Sequence, residues 1–173
     1  MDRDVRHAMR VASDDESVRV IVLTGAGKGF CAGADMGMLQ TIQSGDAATS
    51  RGAVNAAQPW DATADKNFQK QYSWFPAVPK PIIAAINGPA AGLGMIMALY
   101  CDIRIASDTA KFTTAFARRG LIAEHGISWL LPRLIGPVRA RYMSFTGNFV
   151  DAGTAKAWGL VLEVLPPAEL MPF

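Results

Sequence analysis

The sequence predicts an α/β fold, and three observations carry that expectation. Short β-branched runs alternate with helical stretches from one end of the chain to the other. Two glycine-rich turns each follow such a run and lead into a helix, as strand-to-helix crossovers in a parallel sheet do. Half of the 173 residues are apolar and only 18% are charged, so one core of ordinary size can be buried. No repeat, low-complexity tract or linker interrupts the pattern, and residues 1–173 read as a single core domain.

Val5, Ala8, Met9 and Ala12 recur at helical spacing, so the chain opens in an amphipathic helix that Asp14-Asp15-Glu16-Ser17 ends. The β-branched run over 18–23 predicts a strand covered on both faces. Thr24-Gly25-Ala26-Gly27-Lys28-Gly29 is the turn behind it, and Phe30-Cys31-Ala32-Gly33-Ala34-Asp35 leads into a helix starting near Met36, with Asp35 as its N-cap. Residues 45–59 read as a loop or a weak helix. A helix is expected over 64–75, after which Pro76, Pro79 and Pro81 set an extended entry into a strand at Ile82-Ile83-Ala84-Ala85-Ile86. Asn87-Gly88-Pro89 stops that strand, and a small-residue helix follows from about Gly92. Strands are expected at 101–106 and 111–115. Helices are expected at 127–135, at 138–146 and from a cap at Asp151 to Trp158. A last strand lies at 160–165, and Pro166-Pro167-Ala168-Glu169-Leu170 has the pattern of a helix start.

Composition excludes several classes of function. Seventeen Lys and Arg against fifteen Asp and Glu leave a net charge of +2, with no bulk attraction for nucleic acid. Cys31 and Cys101 lack Cys-x-x-Cys spacing and read as reduced, buried thiols of a cytoplasmic protein. Met1-Asp2-Arg3-Asp4 has no apolar run behind it, so no secretory signal is read there. The uncharged stretch 81–101 is long enough to cross a bilayer, but Asn87-Gly88-Pro89 divides it into a strand and a helix, and no membrane span is predicted.

The glycine-rich turns are the candidate chemistry. Gly25-Ala26-Gly27-Lys28-Gly29 stands where a phosphate-binding loop would, yet it fits neither the dinucleotide nor the P-loop spacing, and an ordinary strand-to-helix turn is the preferred reading. Asn87-Gly88-Pro89-Ala90-Ala91-Gly92-Leu93-Gly94 leaves two readings open. Glycine there either permits close helix–strand packing or presents backbone N–H groups at a helix N-terminus to a developing oxyanion.

Phe30-Cys31-Ala32-Gly33-Ala34-Asp35, together with Lys80-Pro81-Ile82-Ile83-Ala84-Ala85-Ile86-Asn87-Gly88 and Gly92-Leu93-Gly94 through Cys101-Asp102, resembles the enoyl-CoA hydratase/isomerase (crotonase) family. Trp129-Leu130-Leu131-Pro132-Arg133-Leu134-Ile135-Gly136 and Ala155-Lys156-Ala157-Trp158-Gly159-Leu160-Val161 extend the similarity over nearly the whole chain. The resemblance implies a crotonase-like ββα superhelix core acting on acyl-CoA thioesters in fatty acid metabolism. It places two oxyanion-hole N–H groups at Ala34 and Leu93, and CoA contacts at Ala32, Ala34, Asp35 and Met36. It implies no metal, no cofactor beyond the CoA of the substrate, no nucleic-acid or membrane partner, and a homo-oligomer, trimeric or hexameric. Family members are longer, with a β-hairpin before the opening helix and several helices after the 160–165 strand, so the chain is expected to be a truncated member.

Two departures bear on the chemistry. The two glutamates that deliver water in hydratases of this family align with Ile96 and Phe116, neither of which can move a proton. Between Asp108 and Asp151 the single acidic residue is Glu124, in an apolar stretch just ahead of a helix, where some isomerases of the family carry an active carboxylate. Glu124 is therefore the candidate catalytic residue, its pKa expected to be raised by apolar surroundings. The alternative pairs it with Arg118 or Arg119. His125 either orients Glu124 or, since consecutive side chains often point apart, serves packing. Arg118, Arg119, Arg133, Arg139 and Arg141 form a patch that either meets CoA phosphates or lines solvated helix faces. Two functions remain: an acyl-CoA enzyme working through Glu124, or a non-catalytic CoA-thioester-binding or assembly subunit. A serine hydrolase is disfavoured, since no Gly-x-Ser-x-Gly elbow is present.

Overall fold

The computed structural model describes residues 2–33, 60, 62–63 and 65–172. Its contacts divide the chain into two units, 1–19 with 34–80 and 20–33 with 81–173.

In the first unit, the heptad-like spacing of Val5, Met9 and Ala12 forms helix α1 (Asp2–Asp14) with Met9 buried. Lys80 Nζ donates to the carbonyls of Ala12 and Asp15, placing a cation at the negative end of α1. Trp60 and Trp74 stack at 4.8 Å, with the Arg10 guanidinium 4.2 Å over Trp60 and that of Arg6 5.4 Å over Trp74. The helix expected over 64–75 is not formed. Residues Lys66–Gln69 and Phe75–Ala77 make short 3-10 turns instead, the first capped by Asp65. Between them Tyr72 takes a left-handed φ of +66°, which a continuous right-handed helix cannot accommodate. The expected Asp35-capped helix and the 45–59 segment lie outside the described residues.

In the second unit, four parallel strands form one sheet in the order β1 (Ile21–Thr24), β2 (Ile82–Ile86), β4 (Ile103–Ser107), β7 (Glu163–Leu165). Central β2 has neighbours on both edges and is buried along most of its length, which is why it reads as an unbroken apolar run. Ile83 and Ala85, on one face by strand alternation, pack with Ile105, Leu165 and Leu170. The strand expected over 18–23 is shorter and is not covered on both faces. It occupies the sheet edge, and Val22 remains 49% exposed. Residues 166–170 form turns rather than a helix, closed by the Glu169 N–H on the Pro166 carbonyl.

The β2–β4 crossover is helix α2 (Leu93–Tyr100), almost wholly apolar and buried. The strand expected at 111–115 forms as β5 (Lys111–Thr113) and joins two short strands that were not expected, β3 (Ala90–Ala91) and β6 (Val150–Asp151), in a second, small sheet. Helices α3 (Ile127–Ile135), α4 (Pro137–Thr146) and α5 (Ala152–Trp158) follow the boundaries expected for them within a residue or two. The buried Thr113 and Thr114 hydroxyls donate to the carbonyls of Gly147 and Met143, each at 2.8 Å, which pins the end of α4 to β5.

Candidate active site

The site is built where two extended segments run side by side into the start of α2. Phe30 and Cys31 N–H both donate to the Pro89 carbonyl, and Ala91 N–H donates to the Cys31 carbonyl at 3.0 Å. Cys31 thus pairs with Ala90 as a parallel bridge beside β3. Gly33 takes φ +99° at the end of this segment, and a Cβ on it would stand 2.9 Å from the Ala91 oxygen and 3.6 Å from the Leu93 nitrogen. Only glycine lets the backbone come this close to the helix start. Leu93 is the first residue of α2, so its N–H has no acceptor within the helix and lies in the positive end of the helix dipole. A backbone donor at such a position is of the kind that can stabilise a developing oxyanion. Ala32 lies in the same segment, whereas Ala34, Asp35 and Met36 are outside the described residues.

The other glycine-rich turn is engaged in packing. Gly25 N–H donates to Asn87 Oδ1 and Asn87 Nδ2 donates to the Gly27 carbonyl, both at 3.0 Å. A Cβ on Gly88 would lie 2.2 Å from the Lys28 oxygen. One side chain and one missing side chain close this turn onto the end of β2, as the strand-to-helix reading anticipates.

Glu124 sits in the turn before α3. Its side chain is 42% exposed rather than enclosed by apolar groups, and its partner is neither Arg118 nor Arg119. Glu124 Oε2 lies 3.5 Å from His125 Nε2. Adjacent side chains meet because His125 adopts a left-handed φ of +53°, followed by Gly126 at +82°, so the chain turns sharply between them. The His125 carbonyl accepts a hydrogen bond from Tyr100 Oη at 3.2 Å. A Cβ on Gly126 would come within 2.4 Å of that same hydroxyl oxygen. Burial pushes the Tyr100 phenol above its ordinary value, so it stays a donor at neutral pH. Tyr100 was not singled out from sequence. The available signal was a hydroxyl-bearing aromatic ending an otherwise apolar helix, where its polar tip needs a partner.

Ile96 and Phe116, at the positions aligned with the hydratase glutamates, are both buried, Ile96 completely. Arg118 donates to the Thr146 carbonyl and Asn148 Oδ1, Arg133 lies 3.8 Å over the Trp129 ring, and Arg139 flanks Trp158. These are the contacts of helix faces, not of a convergent anion site. Cys101 is buried, with its thiol pushed up to about 12 by burial, and Cys31 is half-buried. Among the described residues no three His, Cys, Asp or Glu side chains gather as metal ligands, and no helix is long and apolar enough to cross a membrane.

Comparison with known proteins bears on the family and the fold. The enoyl-CoA hydratase/isomerase family model matches residues 1–172. The chain is 35% identical over 170 residues to the 1,2-epoxyphenylacetyl-CoA isomerase of Escherichia coli K12, covering 98% of this chain and 61% of the relative. It is likewise 35% identical to the crotonyl-CoA hydratase of Syntrophomonas wolfei, over 98% of this chain and 60% of that one. The crystal structure of an enoyl-CoA hydratase from Bacillus anthracis superposes with a TM-score of 0.82 at 30% identity, over 99% of this chain and 61% of its own. The chain thus spans about 60% of the length of the relatives it matches.

Proposed function

The chain belongs to the enoyl-CoA hydratase/isomerase family and has its crotonase fold, and on that premise we propose that it acts on acyl-CoA thioesters, with Ala34 and Leu93 N–H groups holding the thioester oxygen and Glu124 moving one proton. The observation that carries this reading is the close approach of Gly33 to the Leu93 nitrogen, at the N-terminal end of α2 where the helix leaves a backbone donor without an intrahelical acceptor. The names of the Escherichia coli and Syntrophomonas wolfei relatives support the substrate class. The CoA portion runs against Ala32, Ala34, Asp35 and Met36. No metal or further cofactor takes part. We read the protein as a cytoplasmic homo-oligomer, a trimer or hexamer, and exposed Val138 and Phe145 on α4 are apolar surface that association would cover.

A single carboxylate suits double-bond migration better than hydration. On a 3-enoyl thioester, Glu124 takes a proton from the α carbon and the C–H electron pair passes through the carbonyl to the oxygen, where two N–H dipoles stabilise the charge. The oxygen pair then re-forms the carbonyl, the enolate C=C pair becomes the α–β double bond, and the β–γ π bond breaks as its pair takes the proton from Glu124 at the γ carbon. Hydration would need a second titratable group, and Ile96 and Phe116 supply none. The same two residues favour the second reading, a non-catalytic CoA-thioester-binding or assembly subunit.

Glu124→Gln distinguishes the two. Conversion of a 3-enoyl-CoA should fall by about 10²–10⁴-fold, the usual worth of a positioned acid–base group, while acyl-CoA affinity measured by calorimetry changes little. Unchanged turnover removes Glu124 from the mechanism. Binding without turnover by the unsubstituted chain selects the non-catalytic reading.

A further inference from the structure

We infer that Tyr100 is a positioning residue, its hydroxyl fixing through the His125 carbonyl the left-handed turn that holds the Glu124 carboxylate beside the His125 imidazole. The inference rests on the proposed role of Glu124. Four observations converge on it. Tyr100 Oη donates to the His125 oxygen at 3.2 Å. The two residues after Glu124 both take positive φ, and one of them is not glycine, so the turn is held in a conformation His125 would not choose alone. Gly126 lacks the one carbon that would occupy the hydroxyl's place, at 2.4 Å. The outcome of that turn is the 3.5 Å approach of Glu124 Oε2 to His125 Nε2, whereas the side chains of consecutive residues in extended or helical backbone point apart.

The arrangement makes α2 serve both halves of the reaction. Its first residue offers the Leu93 N–H, and its last, Tyr100, anchors the proton carrier. Seven residues of helical rise separate them by about 10 Å, and the Tyr100 side chain leans back toward the helix start. Oxyanion donor and carboxylate are thereby referred to one rigid element, and displacement of either relative to the other is resisted by α2 itself.

The test is Tyr100→Phe, which keeps the ring and removes the bond, set beside Glu124→Gln and His125→Asn, the last retaining a residue that tolerates positive φ. Tyr100→Phe should lower kcat on a 3-enoyl-CoA by about tenfold with KM nearly unchanged, since a displacement under 1 Å suffices for such a loss. At fixed pH, the His125 imidazole ¹⁵N shifts should move in Glu124→Gln and in the same direction in Tyr100→Phe, with His7→Gln identifying the second histidine. Native kcat and native His125 shifts in Tyr100→Phe overturn the inference. If Glu124→Gln keeps full turnover, the proposed function fails instead, and the imidazole shifts alone decide whether Tyr100 holds the turn.

Discussion

Gly94 lies against Cys31 so closely that a Cβ on it would stand 2.2 Å from the Cys31 carbonyl oxygen and 2.6 Å from the Cys31 Cβ. Neither neighbour can yield easily, because that oxygen accepts the Ala91 N–H and the segment is tied to Pro89. Gly94→Ala should therefore destabilise the fold by about 1–3 kcal/mol, as overpacking does. It should also move the start of α2 away from Gly33 and weaken acyl-CoA binding. Urea unfolding and calorimetry read the two effects, and a variant with native stability would show that the contact is loose.

Cys101 tests the buried side of the same helix. Its thiol, pushed up to about 12 by burial, should react with iodoacetamide at pH 8 about three orders of magnitude more slowly than a free cysteine, because the thiolate is the reactive form. Cys31, half-buried, should label ahead of it. Mass spectrometry of labelled peptides assigns the order, and Cys101 labelling should track global unfolding in urea.

Acid stability should depend on Asp151. The Thr154 N–H at 2.7 Å, and then the Thr154 hydroxyl, hold this carboxyl below its ordinary value at the start of α5. A depressed folded-state pKa stabilises the fold above the unfolded carboxyl value of about 3.9, and the contribution is lost as pH falls through the lower folded value. Tm measured from neutral pH down into this range should decline less steeply in Asp151→Asn than in the native chain. Parallel declines would assign the acid transition to other carboxyls.

Much of the fold was legible because its signals are local. The β-branched run of β2, the Asn87-Gly88-Pro89 stop behind it and the Asp151 cap of α5 all lie within a few residues of what they determine. What escaped depends on partners distant in sequence or on unusual backbone. β3 and β6 are two residues long and leave no periodicity to read. Val22 looks like a doubly buried residue until its strand is seen at the sheet edge. Tyr72 and His125 take positive φ although neither is glycine, and these two residues account for the broken 64–75 helix and for the Glu124–His125 approach. The departures at Ile96 and Phe116 were legible only against a family pattern, since a buried apolar side chain is unremarkable on its own.

The strand order also bears on how the molecule assembles. β2 meets β4 with Ile83 opposite Ile103, 20 residues apart in the chain, whereas β1 meets β2 with Ile21 opposite Ile82, 61 residues apart. Loop-closure entropy rises with the logarithm of that separation, so the β1 pairing carries about 1 kcal/mol more than the β2–β4 crossover. The crossover, with α2 inside it, is therefore the least demanding nucleus for the sheet, and the edge strand is recruited onto it. In kinetic terms, substitutions in α2 should act on the folding rate and those in β1 on the unfolding rate, so the helix bearing Leu93 and Tyr100 belongs to the part of the chain that organises first.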